Sequence, residues 1–457
     1  MNVNLANSWS DDSSAQLHLT FYSSQSDDML FNKGKDIDII CQTDLRGLGL
    51  SWSLHHNMIN KPFLTGEAKP LIGNKFQIKF PTTDLVPGFY DIRVVLDSGT
   101  SNNKKNALDK RPVNGSCTFG WKVNKMAIPD SRPKGFKAFW IKAKKEIDAL
   151  PLDVTIETEL KTYTSKQIDT YNVKHACLPA DYDPKGHKYE TVESCKVSIA
   201  GPDGGRIYGW LAKPMGEGPF PIMLVLPGAG YNPRPRPLEH ARHGYLALDI
   251  QIHGQDVDQS SYEFLDEFVN DDINNPVKYN YYNIYKRVRQ AVNYLVSRTD
   301  VDTKKIVVVG GSQGGRLGIV IAGIDSRITA VVSTITHSAN FPHQVWVCNC
   351  NGVKSPSNPW LIELPEQDGM DLKDAPPIVK TEEAKCFAFF DPMYFAQDIK
   401  CPVLMLGGLT DTISPPYSVW AVYTNLKVKK KAIFANPGHA HDWSPTFDRY
   451  AWKWLNK

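Results

Sequence analysis

Ile306-Val307-Val308-Val309-Gly310-Gly311-Ser312-Gln313-Gly314-Gly315 is the stretch whose reading decides the fold. Four β-branched apolar residues predict a short buried strand. The glycines after it leave the backbone free to turn sharply. Leu317, Ile319, Val320, Ile321 and Ala322 then predict a helix packed on a sheet. Gly310-x-Ser312-x-Gly314 between strand and helix reads as a nucleophile elbow, a turn that lifts a serine hydroxyl above the sheet edge at a helix N-terminus. The competing reading is a glycine-rich turn that packs or binds phosphate. No Lys-Ser or Lys-Thr pair follows, so a Walker-type phosphate loop does not fit.

Working outward, strands alternate with helices on both sides of the elbow. Ile222 to Leu226, Leu246 to Ile250, Ile306 to Val309, Ala330 to Ser333, Val403 to Leu406 and Ala432 to Phe434 are candidate strands. Tyr285 to Val296, Leu317 to Ile324 and Ser418 to Leu426 are candidate helices. Near-continuous apolar strands separated by helices predict a mostly parallel sheet covered on both faces, with its site at the carboxyl ends of the strands. Phe136, Phe139, Trp140, Ala143 and Ile147 recur at helical spacing just before this region.

Residues from about 15 to 125 read differently. Leu17 to Phe21, Ile37 to Ile39, Leu50 to Leu54 and Phe76 to Phe80 alternate with period two, as do Phe89 to Val94 and Phe119 to Val123. Short strands punctuated by Gly, Pro, Asn and Asp predict an antiparallel β-sandwich of immunoglobulin-like type. The expected division is a sandwich over 1–125, a Pro- and Gly-bearing linker over 126–135, and a catalytic α/β domain over 136–457. Trp52 and Trp121 read as core, and Lys104-Lys105 and Lys110-Arg111 as a solvated loop.

Composition narrows the function classes. With 52 basic and 49 acidic residues in 457, the net charge of +3 offers no field for nucleic acid or an anionic membrane. No apolar run spans a bilayer. The opening Met1 to Ser8 is polar and is not a signal peptide. The expected location is therefore cytoplasmic, or periplasmic or extracellular if a signal has been removed. Eight cysteines make no disulfide scaffold, and Cys348-Asn349-Cys350 lacks the second pair a zinc site needs. Cys177 and Cys195 are the pair whose bridging the spacing leaves open.

Three strand ends carry chemistry, in the chain order Ser312, Asp411, His441. This is the α/β-hydrolase triad order. A serine hydroxyl is a weak nucleophile near neutral pH. It needs an imidazole to take its proton and a carboxylate to hold that imidazole's tautomer. His439, two residues before His441, competes for the role of base. The expected oxyanion donors are the backbone N–H of Gln313 and of Ala229, in the loop Pro227-Gly228-Ala229-Gly230. No cofactor and no metal is expected.

From Phe136 onward the chain resembles carbohydrate esterase family seven, the acetyl xylan esterase and cephalosporin C deacetylase family. The resemblance rests on landmarks in order. They include Phe139-Trp140, Pro151-Leu152-Asp153, Arg206 to Leu211, Tyr281-Tyr282-x-x-Tyr285, Gly310 to Gly315, Phe390-Asp391 and Leu409 to Pro416. It implies a serine esterase that deacetylates sugar hydroxyls on an acetylated oligosaccharide or polysaccharide, with Ser312 as nucleophile, Asp411 as acid and His441 as base. It also implies a homo-oligomer. Three positions depart from the family pattern: His253-Gly254-Gln255 for Arg-Gly-Gln, Pro227-Gly228 for His-Gly, and His441-Asp442 for His-Glu. Segments around 255–280 and 340–383 are expected to shape the cleft mouth, and for their Trp346 and Trp360 stacking on a sugar and packing in the core stand as equal readings. Two other readings stand beside this one. One is an acyl-CoA thioesterase or acyltransferase with an immunoglobulin-like N-terminal domain. The other is a carbohydrate-binding protein with a relict hydrolase fold.

Overall fold

The computed structural model describes residues 3–5, 19–44, 49–97, 113–128, 132–175, 186–262, 272–351, 382–442 and 444–456. Trp360, Cys177, Leu17 and the lysines at 104, 105 and 110 lie outside these residues.

Alternation of apolar and polar residues builds the first region. Asp36–Thr43 buries every second side chain, and Ile37, Ile39 and Cys41 are fully enclosed. This strand sits in a five-stranded sheet with Val3–Leu5, Leu19–Tyr22, Lys75–Pro81 and Lys69–Leu71. A second five-stranded sheet runs Leu30–Phe31, Val113–Trp121, Gly88–Asp97, Gly49–His56, Leu64–Glu67. The pairings are antiparallel except that Leu30–Phe31 runs parallel to its neighbour. The sheets meet through aromatic rings: Phe80 of the first lies 5.6 Å from Trp52 and 5.8 Å from Phe119 of the second. Trp52 and Trp121 are buried, as core residues should be.

After the helix Phe136–Asp148, which buries Phe136, Trp140, Ala143 and Ile147, the chain enters a ten-stranded sheet. Six of its strands are parallel and run to one edge, in the order Leu246–Ile250, Phe220–Leu226, Val301–Gly311, Ala330–Thr334, Val403–Gly408 and Lys431–Asn436. These are the six strands expected from the apolar runs. Four more strands, Thr155–Ile156, Lys161–Thr164, Thr191–Ala200 and Arg206–Pro214, add an antiparallel edge. One face is covered by helices Asn280–Ser297 and Gln313–Ile324, part of a single large apolar core. Helix Pro445–Leu455 lies over the other face. Among the described residues, no helix is long and apolar enough to cross a membrane.

The two regions touch. Phe89 meets Trp420 edge-on at 5.1 Å, and Asn351 bonds the backbone of both Asn60 and Met58 at 2.7 and 2.9 Å. Of the two readings of Trp346, stacking on a sugar or packing, the structure fits packing. Trp346 is 3% exposed and packs beside His343, because the helix Phe341–Cys350 turns this face inward.

Candidate active site

The elbow is built by close backbone crossing. A Cβ on Gly310 would lie 2.5 Å from the carbonyl carbon of Gly314, and one on Gly314 would lie 2.3 Å from the carbonyl oxygen of Leu226. Only glycine allows strand and helix to approach this far. Ser312 itself sits at φ 55° and ψ −117°, outside the ordinary region for a residue with a Cβ. Its N–H donates to Thr334 O at 2.9 Å, and its carbonyl accepts from Arg316 N at 3.0 Å and His337 N at 3.2 Å. Those bonds hold a strained residue in place.

Asp411 follows strand Val403–Gly408 and is 1% exposed. Its Oδ1 accepts the N–H of Ile413 and of Ser414, each at 2.8 Å. Its Oδ2 faces His441 Nδ1 at 2.8 Å. The carboxylate thus ties its own turn, as a local capping residue would, and also reaches the imidazole. On the far side of the ring, His441 Nε2 stands 2.9 Å from Ser312 Oγ. The histidine loop reaches this place because Gly408 lets it approach: a Cβ there would lie 2.5 Å from Ala440 O and 2.6 Å from His439 O. Thr410 N also donates to His439 O at 3.1 Å.

His439 goes elsewhere. Its Nδ1 faces Asp442 Oδ1 at 3.1 Å, with both side chains largely exposed. The two histidines therefore differ in partner: His441 joins Ser312 to Asp411, and His439 joins the residue that departs from the family's glutamate.

Gln313 is the first residue of helix Gln313–Ile324, where a backbone N–H has no intrahelical acceptor. Ala229 lines the same cavity as Ser312, Gly310, His337 and His441. An imidazole flanked by a carboxylate and a hydroxyl, with helix-terminal N–H groups beside them, has the parts needed for acyl transfer.

Two residues near the site escaped the sequence reading. His337 follows strand Ala330–Thr334 and lines the cavity. Burial, with Arg316 and His441 nearby, pushes its pKa down to about 3, so it stays neutral. Its position just past a strand end was the available signal. Asp391, quoted only as a landmark, is buried and accepts N–H bonds from Asn340, Phe341 and Met393, at 3.2, 2.8 and 3.0 Å. It pins the loop that carries His337.

His187, Glu239 and His243 are grouped closely enough to suggest a metal. The carboxylate of Glu239 is already engaged by His187, by Asn172 Nδ2 at 2.9 Å and by Arg242 at 3.3 Å. His243 Nδ1 faces Glu239 O at 2.9 Å. The trio is accounted for as a buried polar network.

Comparison with known proteins adds the family. The model of the family described as acetyl xylan esterase (AXE1) matches residues 173–457. The acetyl esterase Axe7A of Xylanibacter ruminicola is 28% identical over 383 residues, which cover 80% of this chain and 77% of that protein. Among solved structures, an acetyl xylan esterase from Paenibacillus sp. R4 aligns with a TM-score of 0.54 at 24% identity, over 72% of this chain and 96% of its own. Acetyl xylan esterase 1 from Thermoanaerobacterium sp. JW/SL YS485 aligns with a TM-score of 0.54 at 23% identity, over 73% and 96%. The two structures share the α/β-hydrolase type of sheet and helices.

Proposed function

This chain belongs to the acetyl xylan esterase family, and from that premise we propose that it deacetylates acetylated xylan or xylooligosaccharide through Ser312, His441 and Asp411. Membership makes it a carboxylic-ester hydrolase that removes acetyl groups. The mechanism rests on one observation above others: His441 bonds Asp411 at 2.8 Å through Nδ1 and Ser312 at 2.9 Å through Nε2.

Asp411 keeps the proton on Nδ1, leaving the Nε2 lone pair facing the serine. Ser312 Oγ attacks the acetyl carbonyl carbon while its proton passes to Nε2. The oxyanion is held by the N–H groups of Gln313 and Ala229. His441 then gives its proton to the departing sugar oxygen, and an acetyl-serine remains. Water, deprotonated by the same nitrogen, releases acetate. No step needs a metal or a cofactor.

Residues 1–125 form an immunoglobulin-like accessory domain in this reading, joined through 126–135 to the catalytic domain at 136–457. Residues of the proposed triad and oxyanion hole all lie in the second. The partner is a carbohydrate rather than nucleic acid or membrane.

Acetate release from acetylated xylooligosaccharide tests the proposal. Ser312→Ala should lower turnover by about a millionfold, as triad loss does in serine hydrolases. Acetyl-CoA should be a poor substrate for the unmodified enzyme. A Ser312→Ala protein that kept a few per cent of the rate, or acetyl-CoA preferred over the sugar ester, would overturn it.

A further inference from the structure

Ser312 opens onto far more space than an acetyl group fills. The cavity it lines measures about 680 Å³ and continues down one face of the sheet. Val309, three residues before Ser312, is in its wall, which at the rise of a strand lies about 10 Å below the serine. Met223, Val332 and Leu406 line the same face, and Ala451, Trp452 and Leu455 of the last helix close the other side.

The packing explains why the space exists. The opposite face of the sheet belongs to one continuous core. Under the last helix the apolar residues form two separate groups instead. One is Val332, Leu404, Leu406, Phe447 and Ala451; the other is Met223, Tyr245, Ala247 and Val307. Val309 touches both groups yet is only partly buried, although its strand is central. A helix seated tightly on a sheet leaves no such gap between two patches.

The lining also favours one kind of occupant. Sugar hydroxyls would need partners that Val, Leu, Met and Ala side chains cannot supply. The acidic groups, Asp442 and Asp448, lie on the His441 loop and in the first turn of the last helix. On the wall beside Trp452, His240 stands 5.7 Å from that ring. Burial pulls its pKa down to about 4, so it brings no charge near neutral pH.

We propose that the enzyme also hydrolyses esters whose acyl part is an apolar group of about six carbons, seated between the sheet and helix Pro445–Leu455. The proposal rests on Ser312 being the nucleophile. The step balances as before: the Ser312 Oγ–acyl bond forms, the ester C–O bond breaks, the proton leaves on the alcohol, and water then releases the carboxylic acid.

The test compares p-nitrophenyl acetate and p-nitrophenyl hexanoate on the full chain. Each seated methylene should raise kcat/KM by about fourfold, so hexanoate should exceed acetate. Ala451→Phe and Val332→Phe place a ring in the cavity, and each should lower the hexanoate-to-acetate ratio at least tenfold, with thermal unfolding reporting that the variants fold. Hexanoate turned over more slowly than acetate by the unmodified enzyme, or a ratio that the folded variants leave unchanged, would overturn the proposal. That ratio is decisive even if a variant fails to fold. Failure on both esters would instead count against the triad.

Discussion

At the scale of single residues, the proposed chemistry depends on how few conformations are left to three side chains. Ser312 at φ 55° carries strain of roughly 1–3 kcal/mol, held by the bonds to Thr334, Arg316 and His337. Asp411 has both oxygens engaged, so its carboxylate cannot swing away from His441. The contrast between His441 and His439 gives a prediction. His441→Ala should cost at least about ten-thousandfold in acetyl ester hydrolysis. His439→Ala, losing only an exposed contact to Asp442, should cost less than tenfold. The opposite ranking would move the base to His439. Ser312, Asp411 and His441 were legible as polar residues just past three apolar strands. The choice between two histidines in one loop was legible only by resemblance, because it depends on how closely Gly408 lets that loop approach.

At the scale of elements, the elbow and the antiparallel edge illustrate what a sequence does and does not reveal. Ile306, Val307 and Val308 announce a strand because burial on both faces demands continuous apolar side chains. Thr191–Ala200 and Arg206–Pro214 escaped notice because charges interrupt them. Glu193 and Lys213, opposite each other in register, pair at 2.9 Å, and Lys196 reaches Asp256 at 2.9 Å. Those charges fit a strand only once the cross-strand partner is known. The last helix went unread although Phe447, Ala451, Trp454 and Leu455 recur in it at helical spacing. The elbow glycines yield the element-scale prediction. Gly314→Ala puts a Cβ 2.3 Å from the Leu226 carbonyl oxygen, against backbone that cannot rotate aside. Crowding of this kind costs about 1–3 kcal/mol or more, and it displaces the helix whose first N–H is the proposed oxyanion donor. Urea unfolding should show that loss, and acetyl ester turnover should fall more than a hundredfold. A variant as stable and active as the parent would mean the crossing is looser than described.

At the scale of the whole molecule, the junction between the N-terminal sheets and the α/β region carries two buried histidines that make it sensitive to acid. Phe89 leans on Trp420, and Trp420 in turn fills the space beside Gly407, a few residues before Asp411. His56 from the sheets and His343 from helix Phe341–Cys350 are buried nearby, and His56 adds to the burial that keeps His343 from charging. Burial brings His56 down to about 4 and His343 down to about 3. Both pKa values fall on folding, so the folded protein binds fewer protons than the unfolded chain below the ordinary histidine value near 6.5. The stability they permit is fully present above that value and is lost as pH falls toward 4. Between pH 6.5 and 5 the loss should reach about 2 kcal/mol for each histidine. His343→Phe keeps a ring against Trp346 and Tyr417, 5.1 and 4.3 Å away, but cannot take a proton. Urea unfolding at pH 7 and pH 5 should therefore show a smaller acid loss for His343→Phe than for the parent, by about the contribution of one histidine. Equal losses would show that His343 reaches water before the molecule unfolds, and that the junction opens in acid while both regions stay folded.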